Sequence, residues 1–337
     1  MTTSYIAQDT IFVQIASYRD PELQHTLQDL FKKAKRPENI FVGICHQYDN
    51  RDGIDQHLFE IPFPNPNQLR IDEVYYKDAQ GCCWARNRVQ KLWRGEKWTL
   101  MIDSHMRFAE GWDEICVTSI KDLIDKNYNP VFTSYVCSYD ADGRSEDYIA
   151  STRIEFDDFQ TPVNNGGFRL NQTENYEVGG FASAHFCFGP AKIIEEVKYD
   201  PQLYFIGEEI TLATRLWTSG YNIFVPNKVI AYHLYRDKVK PNRVISTSDD
   251  EAWVKRDKKS RTRVKHLLRI MNCRDEQMLD DLENYSLGKE RALRDYERFA
   301  GVDFRKRKQR ERAKQCVFEK WSESKIKSGV KELFKNS

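Results

Sequence analysis

The chain has 337 residues, 40% of them hydrophobic and 31% charged, with a net charge of +1. This composition suits one large folded core with a smaller appendage and excludes a disordered chain. No apolar stretch approaches the roughly 20 residues needed to cross a bilayer, and the polar start, residues 1–10, lacks a basic-then-apolar signal, so a cytoplasmic protein is expected.

The near-zero charge hides an asymmetry. Residues 305–337 hold 12 Lys and Arg against 4 Glu, about +8, which leaves about −7 on the preceding body. Eight cysteines without any CxxC spacing predict reduced thiols, several in apolar runs.

In chain order, residues 11–17 (Ile-Phe-Val-Gln-Ile-Ala-Ser) form a buried strand. Asp20 is placed as a helix N-cap with Pro21 at the first helical position, and Leu23, Leu27, Leu30 and Phe31 recur at helical spacing before Pro37. A second strand over 40–46 completes a parallel β-α-β unit. Residues 51–68, with three prolines, are loop. A third strand over 71–76, a glycine-opened helix over 81–93 and a strand over 98–103 follow.

Residues 130–189 alternate short apolar runs with turn residues, as in Asn164-Asn165-Gly166-Gly167 and Gly179-Gly180, and predict an antiparallel or mixed extension of the sheet. A helix over 210–219 follows Gly207-Glu208-Glu209, then strands over 221–225 and 229–232, the second closed by His233. Beyond it, 241–263 is charged and loop-like, while 286–298 and 315–334 are predicted helices. In the last of these Val317, Phe318, Trp321, Val330, Leu333 and Phe334 share one apolar face.

The chemistry concentrates at strand ends. Residues 100–105 read Leu-Met-Ile-Asp-Ser-His, an apolar run stopping in a carboxylate and an imidazole two positions apart. In a strand such residues share a side, so Asp103 and His105 converge on one divalent cation while Ser104 faces the other way. One oxygen and one nitrogen ligand suit Mn²⁺ and leave positions open for a diphosphate. Arg86, at the start of a glycine-opened helix, is set to meet phosphate oxygens together with free backbone amides. Ser17, Tyr18 and Arg19 at the first strand's end are set to cover a base and ribose. Glu208 and Glu209 are candidates to orient an acceptor hydroxyl or stabilise an oxocarbenium ion. Gly179-Gly180-Phe181 permits close backbone approach to a sugar. Taken alone, an Asp-x-His triplet marks a strand terminus, a Glu-Glu pair a helix start, and a lone His a structural residue.

The order of these features along the chain resembles the GT-A nucleotide-sugar transferases. At motif level Asp103, His105, Gly179-Gly180, Gly207-Glu208-Glu209 and His233 are similar to the retaining polypeptide GalNAc-transferases. Over residues 9–304 the resemblance narrows to the GlcNAc-transferase family, carried by Ile15-Ala16-Ser17-Tyr18-Arg19-Asp20-Pro21-Glu22-Leu23, Trp84-Ala85-Arg86-Asn87, Ile102-Asp103-Ser104-His105-Met106-Arg107-Phe108 and Tyr296-Glu297-Arg298-Phe299-Ala300-Gly301-Val302-Asp303-Phe304. That family includes cytosolic UDP-GlcNAc:hydroxyproline-polypeptide transferases and bacterial members.

The resemblance implies a GT-A fold, a Rossmann-like mixed α/β sheet flanked by helices, and transfer of N-acetylglucosamine from UDP-GlcNAc with retention to a protein or glycan hydroxyl. It implies Mn²⁺ or Mg²⁺ on Asp103, His105 and His233. Donor contacts fall on Ser17, Tyr18, Arg19, Arg86, Ser104, Gly179, Gly180 and Phe181, and catalytic roles on Glu208 and Glu209. UDP-GalNAc or UDP-glucose as donor, or a non-catalytic scaffold, are the alternatives. The expected organisation is a catalytic domain over 1–235, a charged loop and helical part over 236–304, and a basic amphipathic tail over 305–337. The tail packs back on the domain or docks on a partner protein or the inner membrane face. No nucleic acid partner is expected.

Overall fold

The computed structural model describes residues 9–51, 65–140, 143–144, 147–170, 176–235 and 251–318. Strand β1 (Ile11–Tyr18) is buried along almost its whole length, as a strand covered on both faces must be. Helix α1 (Leu23–Lys33) buries Leu23, Leu27, Leu30 and Phe31, one apolar stripe, against the sheet. Strands β2 (Ile40–Tyr48) and β3 (Leu69–Tyr75), helix α2 (Cys82–Gln90) and strand β4 (Trp98–Asp103) follow. β1, β2, β3 and β4 are mutually parallel where they pair, in the order β4-β1-β2-β3.

After β5 (Met106–Phe108) comes helix α3 (Trp112–Asp125), for which the sequence offered no prediction. It locks onto the end of α1. Asp113 accepts the Lys35 and Arg36 amides at 2.7 and 2.8 Å, and the Trp112 indole donates to the Leu30 carbonyl at 2.9 Å.

The middle of the chain supplies β6 (Pro130–Thr133), β7 (Cys137–Asp140), β8 (Gly143–Arg144), β9 (Ile149–Phe156), β10 (Pro162–Leu170), β11 (Glu177–Val178) and β12 (Phe186–Pro190). β12 runs antiparallel between β4 and β6, so the large sheet is mixed, as expected. Gly166-Gly167, predicted as a turn, instead lies inside β10 beside a bulge. A Cβ on Gly167 would fall 2.6 Å from the Cys316 sulfur and 2.7 Å from the Ser151 carbonyl, so the glycine serves close packing.

Helices α4 (Ile193–Glu196) and α5 (Glu208–Thr218) lead to β13 (Asn222–Val225) and β14 (Ala231–His233). β13 and β11 complete the eight-stranded sheet, in the order β11-β13-β6-β12-β4-β1-β2-β3. β14 joins a smaller sheet, β5-β14-β7-β8.

The charged stretch predicted as loop is helical in its described part, α6 (Glu251–Leu267). Its inward face is partly polar, which is why hydropathy alone hides it. Ser260 bonds the Ile206 carbonyl, and fully buried Arg263 pairs with Asp200 at 2.8 Å. Residues 241–250 lie outside the described residues. Helix α7 (Glu276–Leu279) precedes α8 (Leu293–Ala300), which starts later than predicted and packs Tyr296 and Phe299 on Trp217 of α5.

The predicted helix over 315–334 is not what its described part forms. A short hairpin of β15 (Val302–Asp303) and β16 (Lys308–Gln309) leads to α9 (Glu311–Lys314), which ends before Cys316 at φ 57°. Phe318 then inserts into the core beside Phe181 and Phe299. Residues 319–337 lie outside the described residues. All eight cysteines are free thiols, five of them buried. Among the described residues no helix is long and apolar enough to cross a membrane.

Candidate active site

The site forms where β4 ends. Asp103 is the last residue of β4, and the chain then bends, with β5 beginning at Met106. The bend, rather than strand alternation, brings His105 round. Thr26 of α1 pins it by donating to the Ser104 carbonyl at 2.7 Å and accepting the Met106 amide at 2.8 Å. His233 arrives through sheet register, since β14 pairs antiparallel with β5 and sets His233 opposite Met106.

Three candidate ligands therefore meet. His233 Nε2 lies 3.0 Å from Asp103 Oδ2, His105 Nε2 lies 3.9 Å from the same oxygen, and the three ligand atoms fall within 4.8 Å of one another. Both imidazoles are buried. Asp20, predicted as a helix cap, stands two residues ahead of the assigned cap and keeps a cap-like bond, its Oδ1 accepting the Glu22 amide at 3.0 Å. Glu22 is the cap residue of α1, while Asp20 Oδ2 takes His105 Nδ1 at 2.7 Å and the Ser104 hydroxyl at 2.5 Å. A carboxylate on Nδ1 fixes the ring and leaves Nε2 as the ligand atom, the usual support behind a metal-bound histidine. One carboxylate and two imidazoles fit a borderline divalent ion.

The charge pattern agrees. Burial opposes ionisation of Asp103, but the His233 hydrogen bond and the Arg86 guanidinium hold its carboxyl well below the usual range. Asp20 is likewise held low, against its burial, by His105 and Ser104.

Arg86 is buried and occupied by protein groups. Its Nη2 donates to Asp103 Oδ1 at 2.7 Å, its Nη1 to the Ile102 carbonyl at 3.2 Å, and its Nε lies 2.7 Å from Glu208 Oε1. The last contact is ionic and lacks the alignment of a directed hydrogen bond. The free amides expected at the start of α2 are not all free, because the Tyr204 carbonyl accepts Cys82 N–H at 2.9 Å. The same carbonyl would sit 2.5 Å from a Cβ on Gly81, which is why glycine, at φ 115°, stands there.

The two glutamates have separate surroundings. Glu208 is buried against Arg86, and burial raises its pKa in spite of that partner. Glu209 is half-buried. Its Oε1 accepts the Ala184 amide at 2.9 Å and the Ser183 hydroxyl at 3.3 Å. Burial, with Glu208 and Asp103 nearby, pushes its pKa up to about 7 against the pull of the Ala184 amide.

At the far edge, Ser17 is buried at the end of β1 beside Tyr18. Arg19 adopts φ 48°, donates its amide to Gln47, sits 3.6 Å from Asp49 and lies 4.6 Å over the Tyr76 ring. Gly179 and Gly180 face inward instead of toward an open cleft. A Cβ on Gly180 would come 2.2 Å from the Phe318 ring, one on Gly179 3.0 Å from Ile223, and Phe181 is itself core.

A family profile described as Glycosyltransferase (GlcNAc) matches residues 10–62 and 55–306. The chain belongs to this GlcNAc glycosyltransferase family.

One solved structure agrees with the GT-A fold of this chain. A crystal structure of GalNAc-T7 with UDP, GalNAc and Mn²⁺ is similar at 13% identity and a TM-score of 0.56, covering 86% of this chain and 56% of that one. The chain thus spans little more than half the length of that relative. S. aureus TarS 1-349 is similar at 13% identity and a TM-score of 0.46, covering 82% of this chain and 70% of that one. TarS 1-349 in complex with UDP-GlcNAc gives 14%, 0.49, 82% and 73%. No curated protein sequence matches the chain.

Two residues of the site region escaped the sequence prediction. His185 is buried, with ring centroids 4.8 Å from His233 and 4.9 Å from Tyr135. Tyr235 stacks on Tyr135 at 5.1 Å. The available signal was a lone histidine inside the apolar run Phe181-Ala182-Ser183-Ala184-His185-Phe186, where a polar ring needs buried partners.

Proposed function

We propose that the chain is a divalent-metal-dependent, retaining N-acetylglucosaminyltransferase that uses UDP-GlcNAc and an acceptor hydroxyl on a protein or glycan. The observation that carries this is the meeting of Asp103, His105 and His233 at the carboxyl end of β4 in a member of this family. That sheet edge is where ligands of open α/β folds bind. The sugar follows from the family profile, and the structure of GalNAc-T7 with Mn²⁺ supports a metal in this fold.

In this proposal Asp103, His105 and His233 hold Mn²⁺ or Mg²⁺. Bound there, the ion supplies Lewis-acid stabilisation of charge on the leaving UDP. Asp20, itself held by the Ser104 hydroxyl, fixes His105, and Arg86 fixes Asp103 while drawing on Glu208 for its own charge balance. Ser17, Tyr18 and Arg19 cover the nucleoside end of the donor. Glu209, whose carboxylate stands clear of Arg86, accepts a hydrogen bond from the acceptor hydroxyl and orients it toward the anomeric carbon. In the retaining course the hydroxyl approaches from the leaving group's face and a phosphate oxygen takes its proton.

The catalytic unit is assigned to residues 1–235, supported by 236–304, with 305–337 as a tail whose described part packs on the core through Phe318. We further propose a cytoplasmic location. Incubation with UDP-GlcNAc, UDP-GalNAc and UDP-glucose in turn, with Mn²⁺, tests the donor. Faster UDP release from UDP-GlcNAc, with an α-configured product by NMR, supports the proposal, and preference for another sugar or a β product overturns that part of it.

A further inference from the structure

The segment Ser183–His185 sits between Glu209 and the ring of His233, and its hydrogen bonds have a definite direction. A backbone N–H can only donate. The Val136 amide donates to His185 Nε2 at 3.3 Å, which occupies that nitrogen's lone pair. The Tyr235 hydroxyl cannot substitute a proton there, because it donates to the Val136 carbonyl at 2.7 Å. His185 is therefore the Nδ1–H tautomer, and its Nδ1 lies 2.8 Å from the Ser183 hydroxyl oxygen. That oxygen also lies 3.1 Å from Nε2, but the Val136 amide already fills the Nε2 lone pair. The single Ser183 proton then goes to Glu209 Oε1 at 3.3 Å, a long bond of the kind that tightens when a site fills.

Ser183 and His185 are buried, and the Ser183 amide is itself tied to Thr133 Oγ1 at 2.7 Å. The Tyr135 and Tyr235 rings flank His185. The Ala184 amide adds a second donor to the same Glu209 oxygen. Both protein bonds thus fall on Oε1, and among the described residues Oε2 has no hydrogen-bond partner.

We propose that Ser183 and His185 are positioning residues that lock the Glu209 carboxylate with Oε1 turned inward and Oε2 presented to the acceptor hydroxyl. This rests on the assignment of Glu209 to the acceptor. Neither residue touches donor or acceptor, and the tautomer of His185 decides which way the chain of bonds runs.

The test uses the full chain with Mn²⁺ and UDP-GlcNAc, water serving as acceptor and free GlcNAc as the readout. Ser183→Ala and His185→Phe lower kcat about tenfold, the effect of one lost hydrogen bond, while the KM for UDP-GlcNAc and the half-saturating Mn²⁺ stay within about twofold. Ser183→Thr keeps the hydroxyl, and His185→Asn keeps a donor near the Nδ1 position, so both recover most of the rate. Ser183→Ala in a Glu209→Gln background adds no further loss.

A slow Glu209→Gln beside a Ser183→Ala of wild-type kcat overturns the positioning role and leaves the Glu209 assignment standing. A Glu209→Gln of wild-type kcat overturns that assignment, and the positioning role with it. Independently of turnover, ¹⁵N-histidine spectra of the metal-free chain show His185 as the Nδ1–H tautomer, and an Nε2–H tautomer overturns the proposal.

Discussion

His233 Nε2 lies 3.0 Å from Asp103 Oδ2 although 130 residues separate them in sequence. The register of β14 on β5 makes the contact, and three further interactions hold its surroundings in place: Thr26 on the bend after Asp103, Asp20 on His105, and Arg86 on Asp103. The site is held by the sheet, α1 and α2 together, so perturbing any one support has a distinct readout.

Asp20 is the support behind His105. Asp20→Asn keeps the shape but weakens the hold on Nδ1, and loss of such a partner costs about 10–100-fold in metal affinity. Mn²⁺ titration followed by calorimetry should show that loss with an unchanged circular dichroism spectrum. Wild-type affinity in the variant would remove Asp20 from the metal centre.

Arg86 holds two carboxylates, Asp103 and Glu208, in a buried position. Arg86→Ala leaves both without their cation, and breaking a buried pair in this way costs about 3–5 kcal/mol. Urea unfolding measures it. Arg86→Lys should not recover the loss, because a point charge cannot serve the two directions that the guanidinium serves.

The Glu209 carboxyl, pushed up to about 7 by burial and its acidic neighbours, makes stability depend on pH. Its folded value lies above the unfolded one, so its contribution is fully present below about 4.5 and is lost as pH rises through about 7. In metal-free protein Glu209→Gln should therefore gain stability relative to wild type between pH 5 and 8, with a difference that levels off above 8. A difference that stays flat over that range contradicts the assignment.

How much of this was legible beforehand depends on what each residue's neighbours are. The strands of β1, β2 and β4 read directly, because continuous apolar runs bounded by turn residues suit strands buried on both faces. Asp103, His105 and His233 read as ligands through the order of motifs along the chain. Asp20 did not, since a carboxylate before Pro21 looks like a cap, and only the fold shows that one of its oxygens takes Glu22 while the other faces His105. Helix α6 was hidden because it buries Arg263 and Ser260 against Asp200 and Ile206, partners remote in sequence. Gly180 looked like an opening for a sugar, yet the space it leaves is filled by Phe318 from the other end of the chain.

That last contact is itself testable. Gly180→Ala drives a methyl into the Phe318 ring and should cost about 1–3 kcal/mol by overpacking. Phe318→Ala alone should cost about 3–5 kcal/mol. Because the two changes share one space, the double variant should be more stable than the sum of the single losses predicts. Additive losses by thermal unfolding would show that the tail does not seat there.

The most direct test of the central claim is UDP release from UDP-GlcNAc by the purified full chain, measured with Mn²⁺, with EDTA and in Asp103→Ala. The account predicts release that requires Mn²⁺, stops with EDTA and falls at least about 100-fold in a folded Asp103→Ala protein. Release that is indifferent to EDTA, or that Asp103→Ala leaves at the wild-type rate, would contradict it.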